Sequence, residues 1–165
     1  MAYDRIMVGT DGSETAQRAE EAAARLAKAC EAQLLVVTAY EKPGEAEGIV
    51  QRAESRAREQ GLTEVRTQMQ RGKATDVLVE LSDQQDVDLL VLVDKGMSGG
   101  KRFLVGSVAG SVAQHGRTDI LIVRTTAIRP ADRPWGEYRS VLIGTDGSST
   151  ADRATRKGLE LARRA

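Results

Sequence analysis

Two stretches of this chain carry residue types suited to holding a sugar and an anion. The first is Gly9-Thr10-Asp11-Gly12-Ser13, which follows a short apolar run. Asp11 is acceptor-only when ionised, so it can take hydrogen bonds from ribose hydroxyls. The second runs from Gly96 through Met97-Ser98-Gly99-Gly100-Lys101-Arg102-Phe103-Leu104-Val105 to Gly106-Ser107. Its glycines let backbone approach a phosphate closely, and a helix starting at Ser107 offers N–H groups to an anion. Lys95, Lys101 and Arg102 add positive charge. The plainer readings are a turn with a helix cap at Thr10–Ser13 and a crossover loop at 96–107. Ser98-Gly99-Gly100 lacks the glycine-lysine-serine/threonine ending of a phosphate loop, and the first stretch lacks the spaced glycines of a dinucleotide fingerprint. No general base, activated nucleophile or metal cluster stands out, so no residue is assigned as catalytic or metal-binding. His115 falls at a predicted helix C-terminus, where the dipole favours a cation. Cys30 lies on an apolar helix face and reads as packed.

Ligands in an open parallel sheet gather beyond the carboxyl ends of strands, at the topological switch point. Both stretches end predicted strands. Ile6-Met7-Val8 is the first strand, and Ser13 is the expected N-cap of a helix over Glu14 to Cys30. In that helix Ala16, Ala19, Ala23, Leu26, Ala27 and Cys30 form the apolar stripe, with Arg18, Glu20, Glu21, Arg25 and Lys28 on the remaining faces. Leu34 to Val37 is the second strand, and a helix over Glu45 to Gln60 stops at Gly61. Val65, Thr67 and Met69 alternate with Arg66, Gln68 and Gln70, as in a strand buried on one face near a sheet edge. A third helix covers Thr75 to Gln85. The unbroken Leu89-Leu90-Val91-Leu92-Val93 reads as a central strand covered on both faces. A fourth helix, Ser107 to Gln114, ends at Gly116, and Ile120 to Val123 is the fifth strand. This alternation implies a parallel α/β sheet with right-handed crossovers.

Composition narrows the partners. The 165 residues hold 24 Lys plus Arg against 24 Asp plus Glu, which argues against nucleic acid. One cysteine excludes an internal disulfide, and no apolar run is long enough for a membrane span. The expectation is a cytoplasmic protein with no membrane partner. The chain is expected to divide into a domain over 1–126, a proline-containing linker over 127–137, and a tail over 138–165. In the tail Thr145-Asp146-Gly147-Ser148 repeats Thr10-Asp11-Gly12-Ser13 after 135 residues, and Val141-Leu142-Ile143-Gly144 repeats Ile6-Met7-Val8-Gly9. It reads as the first strand and helix of a second repeat. So small a unit is marginal alone; docking on the first domain, or exchange with a partner chain, is expected.

The opening Ile6 to Ser13, the run Asp88-Leu89-Leu90-Val91, and Gly106-Ser107-Val108 leading into Ile120-Leu121-Ile122-Val123 together resemble the universal stress protein family across residues 3–125. The resemblance implies an open five-stranded parallel sheet, doubly wound in the order 3-2-1-4-5, with helices on both faces. Nucleotide-binding members carry a glycine, two residues, a glycine, nine residues, then glycine with serine or threonine. Gly96 and Gly106-Ser107 match the second half, whereas the first glycine falls on Val93, whose branched side chain resists positive φ. Asp94 beside it sets an anion near the expected phosphates. The implied ligand is ATP or a related adenine nucleotide, with magnesium accompanying it and no cofactor needed for folding. Asp11 would contact the ribose, Ala39 would border the adenine, and Gly96, Gly106, Ser107 and Val108 would surround the phosphates, with Gly9, Thr10, Leu92 and Val93 completing the site. The implied function is a regulatory or stress-response module with at most weak ATP hydrolysis. The alternative is a dimerisation or interaction module whose pocket is obstructed at Val93. A second copy is the implied partner, joined through the edge of strand five or by tail exchange.

Overall fold

The computed structural model describes residues 3–41, 44, 46–94, 107–115, 118–125, 134 and 136–164. In chain order its elements are β1 (Arg5–Gly9), α1 (Glu14–Cys30), β2 (Gln33–Tyr40), α2 (Ala46–Glu59), β3 (Val65–Arg71), α3 (Ala74–Gln84), β4 (Leu89–Val93), α4 (Ser107–His115), β5 (Asp119–Val123) and α5 (Ser149–Arg164). The five strands pair in parallel in the order β3-β2-β1-β4-β5, as the resemblance implies. Sheet growth reverses at β1, so right-handed crossovers put α1 and α2 on one face and α3 and α4 on the other. Two apolar layers result. Ala19, Ala23, Leu26 and Cys30 of α1 pack with Ile6, Val8, Val36 and Val91. Val77, Leu78 and Leu81 of α3 and Val112 of α4 pack with Met7, Val37, Leu90 and Leu92.

Local signals agree with these elements. The Ser13 hydroxyl caps α1 by accepting the Ala16 N–H at 3.1 Å. At the other end Glu31 takes the left-handed conformation, φ 56°, and Ala32 N–H reaches back to Ala27 O at 2.8 Å. Four of the five residues of β4 are buried, as its unbroken apolar run requires. One expectation is corrected at β3, where Val65 is buried but Thr67 and Met69 are exposed. An edge strand has a neighbour on one side only, and its distal half stays in contact with water.

The tail corrects a second expectation. Val141-Leu142-Ile143 forms no strand: residues 137–146 lack ladder pairing and Leu142 is 99% exposed. A strand has no hydrogen bonds of its own. Helix α5 does form. Its Leu161, with Tyr138, packs against the α1-face layer, and Ile143 folds back to Gly158 of the same helix. Gly136 lies so close to α1 that a Cβ would sit 2.8 Å from Ala22 Cα. Lys157 pairs with Asp119 at the start of β5 and lies 5.2 Å from the centre of the Tyr3 ring. A cleft of about 480 Å³ remains beneath α5. Among the described residues no helix is long and apolar enough to cross a membrane.

Tyr3 reports on this docking. Burial, and then the adjacent Asp119 carboxylate, push its phenol from 10.0 up to about 12. The folded value lies above the unfolded one, so the stability linked to this group is complete below pH 10 and is lost as pH rises through about 12. Urea unfolding is expected to show this alkaline decline in the native chain and a flatter decline in Tyr3→Phe; parallel declines would exclude Tyr3 as its source.

Candidate functional site

The tip of β1 is built from close contacts. A Cβ at Gly9 would lie 2.9 Å from Leu92 Cδ2 and 3.1 Å from Leu78 Cδ1, so glycine lets α3 and β4 close around the strand end. Thr10 is buried directly beyond it, and its polar groups all find partners. Its N–H donates to Val37 O at 2.9 Å, and its carbonyl accepts from Thr38 Oγ1 at 3.0 Å. Its hydroxyl donates to Glu20 Oε1 at 2.6 Å and accepts the Gly12 N–H at 3.1 Å. Asp11 is exposed, with Oδ1 accepting the Ser13 N–H at 3.0 Å. The turn-and-cap reading therefore holds for Thr10–Ser13, and it leaves the Asp11 carboxylate beyond the sheet at the switch point between β1 and β4.

Glu20, placed by the sequence pattern on a face of α1 outside the apolar stripe, is buried, 6% exposed. Its Oε2 receives Arg56 of α2 through Nε at 3.0 Å and through Nη2. Pairing explains the burial, because a desolvated carboxylate without partners is strongly unfavourable. A signal existed in the sequence: Glu20 falls four residues after Ala16 and three before Ala23, inside the buried stripe.

β4 lies beside β1, with Val8 opposite Val91, so Leu92 and Val93 reach the same end of the sheet as Gly9 and Thr10. Leu92 is buried in the α3-face layer, while Val93 packs on the opposite, α1-face layer. Asp94 does not act as a loose anion. It is 8% exposed, and its Oδ1 accepts Thr125 N–H at 3.0 Å and Thr125 Oγ1–H at 2.7 Å, tying the end of β4 to the chain after β5. Thr125 is a residue that the sequence reading missed. Ala39 is one residue short of the end of β2 and packs on the α3-face layer, as does Val108 in α4. Ser107 opens α4. Gly96 and Gly106 lie outside the described residues, as do Lys95, Lys101 and Arg102. The cleft beneath α5 and a second between α1 and α2 contain none of Gly9, Thr10, Asp11, Ala39 or Val93. Among the described residues no group of three His, Cys, Asp or Glu is placed to hold a metal.

The sheet order, with its reversal at β1, defines a doubly wound α/β protein. Residues 2–124 match the model of the universal stress protein family, and the chain belongs to that family. It is 33% identical over 145 residues to a universal stress protein of Mycobacterium tuberculosis, covering 76% of this chain and 99% of the relative. A putative universal stress protein of Staphylococcus aureus is 28% identical over 150 residues, covering 80% and 90%. Among solved structures, a universal stress protein in complex with cAMP superposes with a TM-score of 0.67 at 40% identity, covering 74% of this chain and 98% of that one. An Archaeoglobus fulgidus universal stress protein in complex with dAMP, 23% identical, shares the fold with a TM-score of 0.61 over 74% of this chain and 98% of that one.

Gly12 and Gly147 occupy matching turns with φ 76° and 78°, but only Gly12 is crowded: a Cβ there would lie 2.8 Å from Ile49 Cγ1 of α2. Left-handed backbone costs an alanine about 1–2 kcal/mol, and overpacking adds about 1–3 kcal/mol. Gly12→Ala, which carries both costs, is therefore expected to lower the melting temperature more than Gly147→Ala, which has nothing within 4 Å and carries the backbone cost alone. Equal shifts in calorimetric melts would refute this account of Gly12.

Proposed function

We propose that this chain is a stress-response module that holds an adenine nucleotide at the switch point between β1 and β4. The observation that carries the reading is the exposed Asp11 carboxylate beyond the tip of β1, in a chain 40% identical to a universal stress protein crystallised with cAMP. Asp11 accepts hydrogen bonds from the ribose hydroxyls. The first turn of α4, beginning at Ser107, brings N–H groups and the positive end of the helix dipole to the phosphates. Gly96 and Gly106 let backbone come close to the same phosphates, with magnesium arriving on a triphosphate. Ala39 borders the adenine; Gly9, Thr10, Leu92, Val93 and Val108 shape the remaining wall. The module retains its ligand, with at most weak hydrolysis. A pocket closed by Val93 is not favoured, since that side chain packs into the α1-face layer.

The same reading assigns the module to the cytoplasm and to a homodimer, supported by β5 standing at the sheet edge. In a tail-exchanged dimer the contacts of Lys157 with Asp119 and Tyr3 would be made between chains. The tail reads as the opening of a second repeat: Gly147 N–H donates to Thr145 Oγ1 at 3.2 Å and Ser148 N–H to Asp146 Oδ1 at 2.9 Å, the same bonds as in the first turn.

Calorimetry is expected to detect binding of at least one of ATP, AMP and cyclic AMP. Asp11→Asn keeps an acceptor for the Ser13 amide but loses a charged one, and should weaken affinity roughly tenfold or more. Absence of both heat and thermal shift with all three nucleotides at millimolar concentration would end the proposal. Light scattering should give the mass of a dimer; a monomer throughout the micromolar range would remove the homodimer from it.

A further inference from the structure

We infer that Glu20 and Arg56 form a positioning relay through which helix α2 sets the orientation of the nucleotide turn, an inference that rests on the nucleotide site proposed at Thr10–Gly12. The relay is continuous. Arg56 holds Glu20 Oε2, Glu20 Oε1 receives the Thr10 hydroxyl at 2.6 Å, and the same hydroxyl oxygen receives the Gly12 N–H at 3.1 Å. A hydroxyl obliged to donate to a carboxylate presents its lone pairs in a fixed direction. The Gly12 amide is held by that direction, and Asp11 lies between the two anchored residues. Thr10 and Glu20 are 7% and 6% exposed, which leaves water little room to replace either partner.

α2 reaches the turn at a second point. Ile49 sits where a Cβ on Gly12 would fall, about two turns before Arg56 on the same helix. One side of the turn is thus braced by an apolar contact and its base by a charged one. Arg56 is also the outer end of the relay: its side chain is 33% exposed and borders the cleft of about 380 Å³ between α1 and α2. Neither Glu20 nor Arg56 touches the turn's exposed carboxylate. Their effect on a ligand passes through Thr10, and a charge on α2 governs affinity without contacting the nucleotide.

The test compares Glu20→Gln, Arg56→Met and Arg56→Lys in the full chain by calorimetry with cyclic AMP and ATP, thermal melting and amide hydrogen exchange. Glu20→Gln and Arg56→Met are expected to weaken binding about tenfold, the scale of one charge-assisted hydrogen bond. Arg56→Lys should recover part of the loss. Exchange at the Gly12 and Ser13 amides should quicken about tenfold in Arg56→Met while Leu90 and Val91 keep their protection. Lower melting temperatures with unchanged affinity would mark the pair as a plain structural brace and overturn the relay, as would an Arg56→Lys chain no better than Arg56→Met. Should the native chain bind neither nucleotide, the functional reading fails and exchange alone decides. Faster exchange at Gly12 in Arg56→Met, reversed in Arg56→Lys, then upholds the relay, and unchanged exchange overturns it. If Glu20→Gln does not fold, the two Arg56 variants at the partly exposed position carry the comparison.

Discussion

A central strand that stops inside a protein must leave its last backbone groups bonded, and in this fold that demand falls on Thr10. Its amide goes to Val37, its carbonyl to Thr38, and its hydroxyl to both Glu20 and Gly12. No polar group at this point can be left without a partner except at a cost comparable to a lost hydrogen bond, about 1–3 kcal/mol each. The arrangement therefore joins β1 to β2, the turn to α1, and, through the Glu20–Arg56 pair, α1 to α2. The exposed Asp11 owes its place beyond the sheet to the residues fixed on either side of it.

The neighbouring strand end is closed by a similar logic with different residues. Asp94 follows β4 where a buried acid needs donors, and Thr125 supplies two of them from the chain beyond β5. The departure from the family's glycine pattern at Val93 is absorbed the same way. Alternation along β4 turns Leu92 to the α3 face and Val93 to the α1 face, where an apolar layer already exists. A β-branched residue at the end of a parallel strand packs well in such a layer.

The C-terminal segment is attached by smaller means. Leu161 and Tyr138 supply apolar contact, Lys157 supplies an ion pair and a ring contact, and open space remains between α5 and the sheet. Partly exposed ion pairs contribute about 0–1 kcal/mol each, so the apolar contacts carry most of this docking.

The two Thr-Asp-Gly-Ser segments separate local from tertiary causes within one chain. Both form the same turn. The first hydroxyl accepts the glycine amide at 3.1 and 3.2 Å, the aspartate accepts the serine amide at 3.0 and 2.9 Å, and the serine caps its helix at 3.1 and 3.2 Å. These bonds span two or three residues, so the local sequence is enough to form the turn, while the bond of the Thr10 hydroxyl to Glu20 fixes how the first turn sits on the sheet. In the tail they hold the Asp146 carboxyl below its ordinary value, the Ser148 side chain contributing most. Sequence also determined the helix stripes, the buried run of β4 and the family pattern, because periodicity and composition are local properties. The apolar runs before the two turns had no such autonomy. Ile6-Met7-Val8 became a strand between β2 and β4, and Val141-Leu142-Ile143 did not, because a strand exists only where another backbone completes its hydrogen bonds. Glu20 belongs with that second group: its place in the stripe was visible, but only the arrival of Arg56 and Thr10 from distant positions made its burial possible.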